Sequence, residues 1–203
     1  MSCCSCWQTC HNRLYDPPRD CQVRFLAVRG SEIALQLIDF KEPEEIGRWR
    51  TINDEVMGGR SNSQMTMSSS GTALFHGIVS LADGGGFASV RRFDAACDLS
   101  DASGLKVRCR GDGHIYKLNL RLEKCFDGVV WQAPFDPIPS EWETITLPFS
   151  SFVPTYHGRH VTHPPKFDPA RILSFGLVIG GRQDGPFHLE LEWVKSLDPD
   201  DAA

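Results

Sequence analysis

Tyr116-Lys117-Leu118-Asn119-Leu120-Arg121-Leu122-Glu123 alternates apolar and polar side chains at every step. A strand sends successive side chains to opposite faces, so this stretch offers one face to a core and one to solvent, whereas a helix would scatter the same residues around its axis. The same period of two sets Leu105, Val107 and Cys109 against Lys106, Arg108 and Arg110, and sets Phe187, Leu189, Leu191 and Trp193 against His188, Glu190 and Glu192. Leu173, Phe175, Leu177 and Ile179 stand opposite the small Ser174, Gly176 and Gly180, which predicts a central strand covered on both sides. Weaker strand patterns cover 34–40, 63–67, 73–80, 87–93, 129–135 and 142–147, separated by turns such as Ser70-Gly71, Gly111-Asp112-Gly113 and Asp127-Gly128. About ten short strands at this spacing predict an all-β sandwich or barrel. Only 42–48 has helical character, and 154–169 reads as a Pro- and His-bearing surface loop.

Composition agrees with one soluble β domain. The 203 residues are 41% hydrophobic and 23% charged, with 18 Gly and 13 Pro, which disfavours long helices and a disordered chain alike. A net charge of -5 lacks the basic footprint of phosphate-dominated binding, so DNA is not expected and RNA is disfavoured. The domain is expected over 33–197 as a monomer, between a Cys-rich extension at 1–32 and an acidic tail at 198–203. Cys3, Cys4, Cys6, Cys10 and Cys21 crowd the extension, while Cys97, Cys109 and Cys125 are scattered as reduced thiols in the body. The first thirty residues carry no apolar run of secretory length, and no stretch approaches a membrane span; secretion is not expected, and membrane association is expected only through a partner. Trp49, Trp142 and Trp193 are expected in the core, with Trp7 and Trp131 more open.

No set of residues has the makeup of a catalytic or metal centre, so neither enzyme activity, a metal nor a cofactor is expected. His157, His160 and His163 fall in a loop with no rigid element to fix them, and the N-terminal Cys cluster lacks paired C-x2-C spacing. Glu190 and Glu192 share the solvent side of a strand. The glycine run at 83–86 leads into a strand, so the helix N-terminus that would hold a phosphate is missing. Gly58-Gly59 reads as a tight bend needing positive φ, with Asn53, Asp54, Arg60 and Ser61 at its rim, while Arg91, Arg92 and Arg182 suggest a basic patch.

The run Asn53-Asp54-Glu55-Val56-Met57-Gly58-Gly59-Arg60-Ser61, after Asp39-Phe40 and Trp49, resembles the complex I intermediate-associated protein 30 family. Gly85-Gly86-Phe87-Ala88-Ser89 with Arg91, Arg110-Gly111-Asp112-Gly113 with Tyr116, Trp142 ahead of Pro148-Phe149 and Phe152, and Gly185-Pro186-Phe187 with Leu189-Glu190 follow in that family's order. Glu55 departs from it, standing where members often carry a small residue. The resemblance implies a galactose-binding-like jelly roll and a non-catalytic assembly factor that binds protein subunits of respiratory complex I or a related membrane oxidoreductase. It implies the mitochondrial matrix in a eukaryote and the cytoplasm in a bacterium, with plastid relatives also known. The partner-binding set is then Asn53, Asp54, Arg60, Ser61, Arg91, Arg92 and Arg182, and the structural set is Met57, Gly58, Gly59, Trp142 and Trp193. Two other functions fit a jelly roll: carbohydrate binding on Trp131 and Tyr156, or an RNA-linked role in a photosynthetic organism.

Overall fold

A computed structural model describes residues 34–202, so the Cys-rich extension and Trp7 lie outside the described residues, as does the side chain of Met57. One antiparallel sheet contains β1 (Gln36–Asp39), β3 (Asn62–Met67), β4 (Ala73–Val79), β6 (Gly104–Arg110), β9 (Glu143–Pro148) and β13 (Gly185–Leu197). Its order is β3-β4-β13-β6-β9, with β1 added along β13. The second contains β2 (Trp49–Thr51), β5 (Ala88–Arg92), β7 (Tyr116–Arg121), β8 (Val130–Phe135), β10 (Val153–Tyr156), β11 (Arg159–His160) and β12 (Ser174–Ile179), in the order β11-β10-β8-β7-β12-β5-β2. The sheets bury Phe75, Val107 and Leu189 of one against Leu118, Leu120 and Leu177 of the other, forming a jelly-roll β-sandwich.

The alternating segments of β6, β7 and β12 lie where their periodicity predicts. β12 sits between β7 and β5, and Tyr116, Leu118 and Leu120 point inward from β7. Cys109 is fully buried on the inner face of β6, where loss of hydration pushes its thiol up to about 12. Short helix α1 (Pro43–Ile46) starts on a proline, whose fixed φ suits a first turn.

Three strands exceed the sequence expectation: β2, β10 and β11 are too short to show a period. β10 and β11 form a hairpin, Thr155 pairing with His160, inside the segment expected to be loop.

Three tryptophan expectations are overturned. β13 is bulged against β6, because Leu191 pairs with Cys109 while Trp193 pairs with Arg108 and Glu192 is the extra residue. The extra residue shifts the inward set from Leu189 and Leu191 to Val194 and Ser196 and turns Trp193 outward under Lys195, whose Nζ lies 4.4 Å from the ring. Trp142 is also half-buried on the outside, with the Arg110 Cζ 5.2 Å from its ring. Trp131, expected to be open, is 8% exposed and packs at 4.9 Å against Phe167. Trp49 is buried as expected.

Candidate functional site

The motif at 53–61 folds around one carboxylate. A 3-10 turn at Asp54–Met57 ends at Gly58, whose φ of 87° reverses the chain. Asp54, 1% exposed, turns inward. It accepts hydrogen bonds from the Ser61 amide (2.9 Å) and hydroxyl (2.5 Å) and from the amides of Gly86 (2.7 Å) and Phe87 (3.2 Å). A Cβ on Gly59 would stand 2.3 Å from the Asp54 Cγ, and one on Gly85 would stand 2.6 Å from its Oδ2. Both glycines are therefore needed for room. Burial pushes this carboxyl upward, but the hydrogen bonds from Ser61, Gly86 and Phe87 outweigh it and hold the group below the usual 3.8. Beside it, the Asn53 Oδ1 accepts from the Ser63 hydroxyl (2.7 Å) and the Ser89 amide (3.2 Å).

The rim expected from sequence is thus mostly interior. Asn53, Asp54 and Ser61 are buried, because amides of an irregular glycine-rich loop need acceptors that no neighbouring strand supplies. The bend comes from Gly58 alone, while Gly59 is required by its approach to Asp54. Arg60 is exposed and pairs with Asp83 at 2.6 Å.

The expected arginine patch is also divided. Arg91 and Arg92 are neighbours on β5 and point to opposite faces. Arg92 points inward and meets Glu45 at 2.8 Å, with the Trp49 indole donating to the same carboxylate at 3.1 Å. Burial raises the Glu45 carboxyl, against the pull of Arg92 and Trp49. Arg91 points to the outer face of the seven-stranded sheet, donating to the Ser174 hydroxyl (3.2 Å) and the Phe126 carbonyl (3.4 Å) above the Phe93 ring. Arg182 is exposed beyond the end of β12, at a φ of 66°.

A second buried carboxylate, not singled out from sequence, organises the motif at 110–113. Asp112 accepts from the amides of His188 (2.7 Å) and His114 (3.1 Å) and from the Tyr116 hydroxyl (2.9 Å). Burial raises its carboxyl, but these donors hold it below the usual aspartate value. Nearby, a cavity of about 170 Å³ is lined by Arg110, Gly111, Ser140, His188 and Glu190. Its charged wall is an Arg110–Glu190 pair, and Glu192 faces Lys41 and Arg108. His157 pairs with Asp127 at 3.0 Å, and among the described residues no three metal-ligating side chains converge. With Trp131 buried, the sugar platform expected from Trp131 and Tyr156 does not form, although Tyr156 is exposed. The signal for Asp112 was its place between Gly111 and Gly113, and for Asp54 its place one turn before Gly58-Gly59, where a short acceptor can turn back onto loop amides.

Both knots fall inside the segment that matches known proteins. Chains similar to this one include the mitochondrial complex I intermediate-associated protein 30 of Drosophila melanogaster, 28% identical over 78% of this chain and 61% of the relative. The Mus musculus protein of the same name is 29% identical over 76% of this chain and 53% of its own length. This chain therefore spans about half to three fifths of these relatives. Among solved structures, a family 11 carbohydrate-binding module of a Clostridium thermocellum cellulosomal cellulase superposes with a TM-score of 0.61 at 18% identity, covering 83% of this chain and 96% of the module. A crystal structure of an agarase superposes at 0.54 with 15% identity, over 82% of this chain and 25% of the enzyme. These likenesses show a shared jelly-roll fold and nothing of function. The sequence pattern described as complex I intermediate-associated protein 30 matches residues 38–191, and the chain belongs to that family.

Proposed function

We propose that this protein is a non-catalytic assembly factor that holds an intermediate of respiratory complex I through contacts with its protein subunits, within mitochondria. The observation that carries this reading is the family match across 38–191, together with relatives whose names give both the complex and the compartment. Asp54 and Asp112 organise two of the motifs that resemble the family, so in this reading the partner is met by side chains these knots hold in place. The test is recovery of the intact protein from its own cells, with identification of the subunits that accompany it. Complex I subunits are expected; a preparation free of them rejects the reading. Fractionation of the same cells, with the protein outside mitochondria, would reject the compartment alone.

A further inference from the structure

The outer faces of the two sheets treat their cations differently. On the six-stranded sheet, Arg110 and Arg108 face Glu190 and Glu192. On the seven-stranded sheet, Arg50, Arg91, Lys117 and Arg121 all point outward, and among the described residues none of them forms an ion pair. A chain whose net charge is -5 has carboxylates to spare, yet it places none within ion-pair reach of these four. Glu123 and Asp127 come near enough only to offset part of the burial that lowers Arg121.

Register turns this into a shaped surface. Arg50 is opposite Arg91, Arg91 opposite Gly176, Gly176 opposite Asn119, and Asn119 opposite Gln132, so the five form one row across β2, β5, β12, β7 and β8. Lys117 lies two pairs to one side, opposite Val178, and Arg121 two pairs to the other, opposite Ser174. At about 4.8 Å per strand the row spans about 19 Å, the reach of about six extended residues. Gly176 has no side chain, and a Cβ there would stand 3.3 Å from the Asn119 Cβ and from the Val90 carbonyl oxygen, so its neighbours close in around this low point.

The groups at that low point are short of partners. Arg91 is 7% exposed; its Nε and Nη1 reach Ser174 and Phe126, and its Nη2 has no protein acceptor among the described residues. The buried Asn119 Oδ1 has no hydrogen-bond partner, and with its amide group it can meet a backbone N–H as readily as a carboxylate. Phe126, 60% exposed and stacked on Phe93 at 6.3 Å, forms an apolar lip at the Arg91 end. Burial, and then the neighbouring Arg121, lower Arg91 to about 10.

We infer that the outer face of the seven-stranded sheet docks an acidic polypeptide segment of a protein partner. Its carboxylates meet Arg50, Arg91, Lys117 and Arg121, and its backbone crosses Asn119 and Gln132 above Gly176. A long polyanion suits the face less well, because the overall negative charge repels it beyond the patch, while a short segment engages only the local cations. The inference rests on the protein-binding reading above and supplies the chemistry of the partner.

The probe is a fluorescein-labelled decaglutamate peptide read by anisotropy at low salt, with decaglutamine, a ten-nucleotide oligothymidine and a mixed-linkage glucan oligosaccharide in parallel. Decaglutamate is expected to bind alone of the four and to weaken as salt rises. Arg50→Glu with Lys117→Glu should weaken it at least tenfold, while Lys195→Glu on the other sheet leaves it within twofold. If the reversal lowers the melting temperature, Arg50→Gln with Lys117→Gln replaces it, with at least a threefold loss expected. No peptide binding, binding unaffected by these changes, or tighter binding of oligothymidine or glucan overturns the inference. Subunits recovered from cells by a protein that ignores decaglutamate would sink this face and leave the assembly reading standing. Peptide binding without complex I subunits would do the reverse.

Discussion

The Asp54 carboxylate accepts the Gly86 amide at 2.7 Å, across 32 residues of chain. This bond joins the two glycine-bearing motifs into one structure, and Gly59 and Gly85 are the residues that make room for it. Asp54→Ala leaves the amides of Ser61, Gly86 and Phe87 without their acceptor. At about 1–3 kcal/mol for each buried group left unsatisfied, a loss of about 3 kcal/mol or more is expected in urea unfolding. A loss under about 1 kcal/mol would mean that water replaces the carboxylate freely.

The same carboxylate sets an acid limit. Its folded value lies below the usual 3.8, so its stabilisation is complete above that value and disappears as pH falls through the depressed one. Asp54→Asn should therefore flatten the fall of stability with pH below about 4. Asp112 and Asp98, also depressed, contribute to the slope that remains. An unchanged slope in Asp54→Asn would assign the acid limb to other carboxylates.

Adjacent glycines should fail for different reasons. Gly58→Ala places a side chain at a φ of 87°, a strain of about 1–2 kcal/mol. Gly59→Ala drives a methyl against Asp54 and should cost about 3 kcal/mol, since it adds steric overlap to loss of the knot. Equal melting temperatures for the two variants would refute the distinction.

Much of this architecture was legible because alternation is a direct record of a sheet with one buried face: β6, β7 and β12 follow from their side chains alone. Motif residues were harder to place, because a polar residue beside glycine is equally suited to a solvent rim and to an inward loop acceptor, and only the position of the second glycine run decides. The pairing of Arg92 with Glu45 was hidden for a related reason. Nothing local to β5 states that one of its two arginines faces the core. The four outward cations of the same sheet belong to three strands, β2, β5 and β7, and become neighbours only through register.

Glu45 and Arg92 give a direct test of that buried pair. Glu45→Ala removes the carboxylate facing a buried guanidinium and the acceptor of the Trp49 indole, with about 3 kcal/mol of lost stability expected. Replacing both partners, as Glu45→Leu with Arg92→Met, should recover most of it. A double variant as unstable as the sum of the single ones would show that the two do not act together.

Proteolysis should find one body. Residues 162–166 are exposed and lie outside any strand, and Phe167 anchors the far side against Trp131, Phe149 and Phe152. Trypsin is expected to cut first after Lys166, leaving two fragments that stay together under native conditions. A stable fragment ending near residue 110 would instead divide the chain into two domains.

The bulge in β13 makes the sharpest prediction about the core. Uninterrupted alternation would place Leu191 and Trp193 on one face, so that removing the tryptophan would cost about 3–5 kcal/mol. The structure places Leu191 and Val194 inside and leaves Trp193 half-exposed beneath Lys195. Trp193→Ala therefore loses a surface contact and partial burial, about 1 kcal/mol, whereas Leu191→Ala opens a cavity between the sheets at about 2–5 kcal/mol. Val194→Ala tests the bulge itself, since unbroken alternation would turn residue 194 to solvent and make its loss nearly neutral. A cost of about 1 kcal/mol or more at Val194, together with a smaller cost at Trp193 than at Leu191, is the expected order by urea denaturation. A neutral Val194→Ala with a costly Trp193→Ala would restore regular alternation and return Trp193 to the core.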